Sequence, residues 1–229
     1  MQGEEIAQGF IKAFGKRILS LVGYGSYFFD RSDKNSDIDF TLLLDSRRDG
    51  DLAKVSKLVG DNIDVTIHFI DEIEQCGWNN FYHGEQGLFF IQHLAQAKVL
   101  VGNDIFSRKA PTIDRKKYLE SLIGRTKSYI DRVQNGIISS KHDLRFYQKY
   151  ISRIMTDMLL INSDISFREI NSSSLQDLSK VFMVSNIFTL RTKKAFSKLI
   201  AGQYNNSGLE RLLDSVVYDF YKLLKTEDL

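Results

Sequence analysis

The hydrophobic pattern of this chain changes at its only proline, Pro111. Before this residue, short apolar runs with alternating polar residues lie between stretches of helical periodicity, which predicts a mixed α and β unit. After it, apolar residues recur at three- and four-residue intervals over long segments, which predicts helices. A chain of 229 residues is long enough for two such units. We therefore expect two domains, residues 1–110 and residues 111–229.

The predicted fold class is α+β: a small mixed sheet of about four to five strands flanked by helices, followed by an all-α helical bundle. In the first domain, alternation and β-branched residues predict strands near residues 17–26, 37–45, 62–70 and 98–102. Helical spacing predicts helices near residues 6–14, 52–59 and 84–97. In the second domain, amphipathic patterns predict helices near residues 114–134, 142–162, 174–184, 187–201 and 208–225.

The cysteine and hydropathy content restricts the class of protein. The single cysteine, Cys76, excludes an internal disulfide and a zinc or iron–sulfur centre built from clustered thiolates. We expect it to be a small buried residue in a protein from a reducing compartment, the cytoplasm. No stretch approaches the ~18–20 apolar residues that span a bilayer, so no membrane association is expected.

The charges are distributed unequally between the two predicted domains. Residues 1–110 contain twelve Lys/Arg and sixteen Asp/Glu, a net charge of −4, whereas residues 111–229 contain nineteen and thirteen, a net charge of +6. One interpretation is a chance scatter of solvated surface charge. The other is an acidic metal site that faces basic walls and binds a polyanionic ligand.

The most informative motif joins the first two predicted strands. Gly25 and Ser26 follow a predicted strand, ten residues intervene, and Asp37 and Asp39 then lie two apart at the start of the next strand. Alternate residues of a strand share a face, so both carboxylates leave the sheet together. Neighbouring carboxylates repel unless a cation lies between them, which favours a magnesium site. The glycine turn allows backbone N–H groups to approach a phosphate.

A third carboxylate, Asp64, lies in the next predicted strand between two β-branched residues. An unpaired charge is costly there unless something positive meets it. Two strands could therefore deliver three acids to one point, which is the arrangement used in two-metal phosphoryl transfer. In the loop between the first two strands, Arg31 and Lys34 either reach phosphate oxygens or are exposed loop charges.

The Gly-Ser pair, the Asp-x-Asp pair and the later Asp64 together resemble the polymerase-beta-like nucleotidyltransferase superfamily. Within it, residues 5–107 look like the small stand-alone branch that includes aminoglycoside nucleotidyltransferases and minimal nucleotidyltransferases. The resemblance implies that Gly25 and Ser26 hold a triphosphate and that Asp37 and Asp39 ligate magnesium. It also implies that Asp64 completes the metal site or acts as base on the acceptor hydroxyl. The chain departs from the family pattern where aromatic residues follow Ser26 and members commonly have a small residue.

The function expected from this resemblance is magnesium-dependent transfer of a nucleoside monophosphate from an NTP, with ATP as the expected nucleotide, to an acceptor hydroxyl. Two Mg²⁺ ions are the expected cofactors, and pyrophosphate would leave. The expected acceptor is a small molecule or a protein. A tRNA end is kept open by the basic second domain but is not favoured, and a homodimer is also left open. The alternative from another class is a degenerate nucleotidyltransferase fold that acts as a regulatory or antitoxin-like binding partner.

Overall fold

The computed structural model describes six stretches of the chain, namely residues 2–28, 37–60, 62–81, 87–139, 143–162 and 175–227. The chain divides into two compact units, Met1–Tyr118 and Leu119–Leu229. Within these stretches, no helix combines the length and the apolar character needed to cross a membrane.

The first unit contains a four-stranded mixed sheet, which confirms the predicted sheet. Its strands are β1 (Ile18–Tyr24), β2 (Ile38–Leu44), β3 (Ile63–Phe69) and β4 (Lys98–Gly102). The strand order is β3-β2-β1-β4. β1 runs antiparallel to both β2 and β4, whereas β2 and β3 are parallel. The parallel pair brings the beginnings of β2 and β3 to the same end of the sheet, where the carboxyl end of β1 also lies.

Helices of the first unit flank this sheet. They are α1 (Gln2–Phe14), α2 (Gly25–Phe28), α3 (Asp51–Ser56), α4 (Ile70–Cys76), α5 (Phe89–Leu94) and α6 (Ile105–Lys109). α1 has Glu4 and Glu5 in its first turn and Lys12 in its last, so its end charges complement the helix dipole. Its apolar stripe, including the fully buried Phe10, faces the sheet.

The two faces of the sheet are covered by different apolar clusters. On one face, Phe40 of β2 packs with Phe10 of α1 and Val55 of α3. On the other face, Leu43 of β2 and Val22 of β1 pack with residues of α5 and α6. Successive strand residues therefore enter different cores, and Asp39 and Thr41 share the second face with Leu43.

Three short helices of the first unit, α2, α4 and α6, were not expected from the hydrophobic pattern. α4 takes over the last residue of the strand predicted at 62–70, and α6 begins after Asp104, whose side chain accepts from the Ser107 backbone N–H at 3.1 Å. The prediction that Cys76 is buried is wrong. Cys76 ends α4 and is exposed, because this helix buries only Ile73.

The second unit is helical, as predicted. Its helices are α7 (Arg115–Ile138), whose first turn belongs to the first unit, α8 (Leu144–Ile161), α9 (Leu175–Val184), α10 (Leu190–Ile200) and α11 (Asn206–Thr226). Side-chain oxygens of Asp143, Thr189 and Asn205 cap the starts of α8, α10 and α11 by accepting backbone N–H groups. α8 is the most buried of the described helices in this unit, with an apolar face that includes Ile154 and Met158.

A partly buried ionic network lies at the end of the sheet where β1 begins and β2 ends. The Arg17 guanidinium donates to both carboxylate oxygens of Asp51, at 2.8 and 2.9 Å, and to Asp45 at 3.1 Å. The Asp51 side chain is only 1% exposed. The hydrogen bonds from Arg17 lower the pKa of Asp51 to about 2, although burial opposes this shift.

This network predicts a pH dependence of stability. Since the pKa of Asp51 is lower in the folded state than its unfolded value of about 3.9, the ionised carboxylate stabilises the fold above pH ~4. This contribution, about 2 kcal/mol, is lost as the pH falls from about 4 towards 2. In urea unfolding across this range, Asp51→Asn should flatten the acid limb of the stability curve. Asp49→Asn, at an exposed position, should leave the curve unchanged, and an unchanged slope in Asp51→Asn would contradict the assignment.

Candidate active site

The candidate site is built on the pairing of β2 with β3. Asp39 lies opposite Asp64 in the parallel register, one pair after Ile38 and Ile63. Neighbouring strands lie ~4.8 Å apart and residues in register project from the same face, so these acids are neighbours at one end of the sheet. Asp39 is half-buried, and Asp64, on the edge strand, is exposed.

The turn after β1 brings backbone directly against this acid pair. Tyr24, the last residue of β1, pairs with Asp39 in the antiparallel register, and Gly25 then begins α2. Gly25 has a φ of +77°, and a Cβ added to it would lie 2.1 Å from Oδ2 of Asp39. Only glycine fits there, since any side chain would overlap the carboxylate and adopt an unfavourable backbone conformation. The Gly-Ser turn and the Asp-x-Asp pair are therefore in contact.

Tyr24 is buried beside the two carboxylates, and its pKa is affected by their charges. The tyrosine is 7% exposed, and burial raises the pKa of its phenol. The carboxylates of Asp39 and then Asp64 raise this pKa further, whereas the hydroxyls of Thr66 and Thr41 oppose the shift. The phenol consequently keeps its proton at neutral pH, and it lies near enough to both carboxylates for their charges to act on its pKa.

The other site residues expected from the sequence are Asp37, Ser26, Arg31 and Lys34. Asp37 lies one residue before β2, is exposed, and by strand parity shares a face with Asp39. The backbone of Ser26 lies in the first turn of α2, while its side chain is outside the described part of the structure. Arg31 and Lys34 lie outside the described residues.

Two of the aromatic residues that depart from the family pattern pack away from the acid pair. Tyr27 and Phe28 join the cluster that contains Phe40, on the face of the sheet opposite Asp39. The Phe28 ring meets the Phe40 ring edge-on, with centroids 5.4 Å apart. Gly23 makes room for it, because a Cβ at that position would lie 2.3 Å from the Phe28 ring. These side chains therefore leave the acidic face open.

His68 lies further along β3, on the same face as Asp64. Its ring packs against Phe81 with centroids 4.7 Å apart. Burial lowers the pKa of His68 to about 4, although Glu72 opposes the shift. The imidazole is therefore neutral at pH 7 and contributes packing on this face.

The donor chemistry of the acid pair suits magnesium. In the part of the chain that the structure describes, no three His, Cys, Asp or Glu residues are grouped closely enough to enclose a metal ion. Magnesium, however, is usually bound through one or two carboxylates together with substrate phosphates and water, rather than in an all-protein cage. Asp39 and Asp64 supply two adjacent hard oxygen donors, and Gly25 places backbone without a side chain against Asp39. The arrangement fits an ion that arrives with a nucleotide.

Tyr24, Thr41 and Thr66 lie next to the acid pair and were not expected there from the sequence. Tyr24 ends an otherwise apolar buried strand, and a polar hydroxyl immediately before a glycine turn is the signal that could have identified it. Thr41 and Thr66 follow Asp39 and Asp64 by two residues and are opposite each other in the register. Polar side chains at these two positions, on the same face of the sheet as the acids, are the signal that could have identified them.

The glycine at position 25 supports a prediction about both stability and activity. In Gly25→Ala, the added Cβ collides with Asp39 and forces a left-handed backbone on alanine, so the free energy of unfolding should fall by roughly 1–3 kcal/mol. Activity should fall as well, because Asp39 must move. Urea unfolding measures the first effect. Gly60→Ala is the matched control, since nothing lies within 4 Å of its added Cβ, and a Gly25→Ala protein as stable as this control would contradict the contact.

Comparisons with known proteins define the class of fold. The four-stranded mixed sheet with a glycine turn against an acid pair, followed by a helical unit, is a nucleotidyltransferase fold with an appended helical domain. The structure is similar to that of spectinomycin adenyltransferase AAD(9) from Enterococcus faecialis, solved with ATP and spectinomycin. The TM-score is 0.61 at 10% sequence identity, over 94% of this chain and 99% of that chain.

The sequence comparisons give no further relatives. No protein-family model matches the chain, and no curated protein matches it either. The structural similarity confirms the predicted fold, a small mixed sheet followed by a helical bundle.

Proposed function

We propose that this protein is a magnesium-dependent nucleotidyltransferase that moves a nucleoside monophosphate from an NTP, with ATP as the first candidate, to an acceptor hydroxyl. The observation that carries the proposal is the contact between Gly25 and Asp39 beside the in-register Asp64. This contact places a glycine turn, whose backbone N–H groups are proposed to bind phosphate, against a pair of carboxylates. Phosphoryl transfer depends on such positioning and charge neutralisation.

In the proposed reaction, the acceptor oxygen forms a bond to the α-phosphorus while the bond from this phosphorus to the bridging oxygen of the β-phosphate breaks. Pyrophosphate leaves, and the hydroxyl proton passes to a carboxylate or to water. Bound Mg²⁺ would neutralise charge on the phosphate oxygens and on the attacking and leaving oxygens. Asp37, Asp39 and Asp64 are the proposed ligands of two such ions. Because the three acids, all of them among the described residues, are not grouped closely enough to enclose an ion by themselves, the nucleotide phosphates would complete the coordination. Asp64 is also the candidate base.

The nucleotide would be oriented by the turn after β1. Backbone N–H groups at Gly25 and Ser26 are proposed to bind the triphosphate, with Arg31 and Lys34 from the following loop on its outer oxygens. The protonated Tyr24 phenol is suited to donate a hydrogen bond to an oxygen near the acid pair. All of these contributions are positioning and charge neutralisation, so no covalent intermediate on the protein is needed.

A small molecule with a hydroxyl group is the first candidate acceptor. Support comes from the structural neighbour, which was solved with ATP and spectinomycin and covers nearly all of this chain. A protein side chain is the second candidate acceptor in the proposal, and a tRNA end is the third.

The decisive experiment follows the label from α-³²P NTPs in the presence of Mg²⁺. Each of the four nucleotides is incubated with the full-length protein and with an aminocyclitol or aminoglycoside panel, a protein lysate fraction, or total RNA. Label in a small-molecule, protein or RNA fraction identifies the acceptor, and release of pyrophosphate in equal amount confirms the bond that breaks. Tight NTP binding without transfer to any fraction would overturn the proposed activity in favour of a regulatory binding protein.

A further inference from the structure

A basic groove lies within the second unit, between α10 and α11. Three cationic residues of α10, namely Arg191, Lys194 and Lys198, recur at three- and four-residue intervals and therefore share one side of the helix. Arg211 of α11 lines the groove with them. The groove has a volume of about 600 Å³, which is within the range of small-ligand sites. We call it the α10–α11 groove.

The cations of the α10–α11 groove are not neutralised by carboxylates of the described residues. Arg191, Lys194, Lys198 and Arg211 are all exposed, and the lining contains no acidic residue among the residues described. The hydrogen bonds of Arg211 go to neutral groups of Ser207, one turn earlier in α11. Four like charges on one groove produce a positive potential that attracts a polyanion.

An aromatic ring forms part of the same lining. Tyr204 lies between α10 and α11, is half-buried, and has Arg211 close enough to lower the pKa of its phenol, although burial raises that pKa overall. Gly208 provides space for the ring, because a Cβ at that position would lie 2.9 Å from Cε1 of Tyr204. The ring is therefore held at the groove, beside the cations.

We propose that the α10–α11 groove binds the phosphate backbone of single-stranded nucleic acid, with Tyr204 stacking against a base. A basic groove with an aromatic platform is the combination that binds single strands without sequence preference. At 1.5 Å per residue, the α10 cations span roughly 10 Å along the helix, with steps of about 4.5 and 6 Å. These spacings between cations suit the spacing of successive phosphates along a nucleic-acid backbone better than the shorter spacing of the phosphates within one triphosphate. The inference does not depend on the proposed enzymatic activity.

The test is direct binding of a fluorescein-labelled single strand of about 12 uridines to the full chain, measured by anisotropy between 50 and 200 mM salt. The variant Lys194→Gln/Lys198→Gln should weaken binding by roughly 10-fold or more and reduce the salt slope by about 1.4, since each lost phosphate contact removes ~0.7. The matched control, Lys222→Gln/Lys225→Gln, removes the same net charge from exposed positions elsewhere on α11. It should bind within 2-fold of the unmodified protein, by the weak effect of distant screened charges.

A separate variant tests the proposed stacking of Tyr204 against a base. Tyr204→Leu should weaken binding of the single strand with no change in the salt slope, because stacking adds affinity without releasing counterions. Equal losses in the two double-lysine variants would overturn the proposal, since they would indicate attraction by net charge alone. Absence of binding at 50 mM salt would also overturn it, as would full competition by millimolar ATP, which would reassign the groove to a nucleotide.

Discussion

Replacing Asp39 by asparagine is expected to reduce nucleotidyl transfer by roughly 100-fold or more, the scale seen when one preorganised electrostatic contact to a transition state is removed. Asparagine keeps the shape of the side chain, so it fits the space next to Gly25, but it removes the negative charge that would hold magnesium. The free energy of unfolding should change by less than about 1 kcal/mol, because the side chain is half-buried at the end of a strand. Single-turnover rates with α-³²P ATP and urea unfolding measure the two quantities.

The control for this prediction is Asp71→Asn. Asp71 is an exposed aspartate in the first turn of α4, which follows β3 at the end of the sheet away from the acid pair. Its transfer rate should match that of the unmodified protein. An Asp39→Asn protein that retains more than about a tenth of the rate would contradict the role proposed for this carboxylate.

The acidic face of the site followed from the sequence because side-chain alternation in a strand is a local property. Asp37 and Asp39 are two positions apart in the sequence, and this spacing alone predicts that both leave the sheet on one side. The pairing of Asp39 with Asp64 is not local, since it depends on β3 joining β2 in a parallel arrangement. Parallel strands need a crossover connection, and the sequence pattern does not specify the register that this connection produces.

The environment of the site could be predicted less well than its acids. The contact between Gly25 and Asp39 depends on how tightly the turn after β1 closes, and the orientation of Tyr24 depends on the antiparallel pairing of β1 with β2. The positions of the aromatic residues after Ser26 also depend on tertiary structure and could not be predicted from the sequence. The sequence showed only that they depart from the family pattern. Tyr27 and Phe28 lie in the core on the other face, because the small Gly23 leaves space for the Phe28 ring.

The long helices of the second unit were predicted well, whereas some short helices of the first unit were not predicted. A sustained amphipathic stripe identified α8 and α11, since packing of one face over several turns stabilises such helices. α4 and α6 are only seven and five residues long, so they contain two turns or fewer in which a periodic pattern can be recognised. Their formation depends on caps and on packing against the sheet, which are set by tertiary structure.

The largest expected effect on stability is in the second unit, where α7 and α8 share a buried ion pair. Arg125 donates to both carboxylate oxygens of Asp157, through Nε at 2.9 Å and through Nη2, and the two side chains are 3% and 1% exposed. Burial raises the pKa of Asp157, and Arg125 opposes this shift. Arg125→Met would leave Asp157 buried without its partner, so the free energy of unfolding should fall by roughly 3–5 kcal/mol. Urea unfolding of the full chain at pH 7, followed by far-UV circular dichroism, measures this loss.

Two further variants distinguish an unpaired buried charge from a simple loss of packing. Arg125→Met/Asp157→Leu removes both charges and should recover most of the lost stability, because replacing a buried pair by apolar residues is often neutral or stabilising. Lys180→Met breaks the exposed pair between Lys180 and Asp177 in α9 and should change the free energy of unfolding by less than about 1 kcal/mol. If the double variant is no more stable than Arg125→Met, the loss comes from the missing arginine side chain and its packing. The stranded charge on Asp157 would then not be its cause.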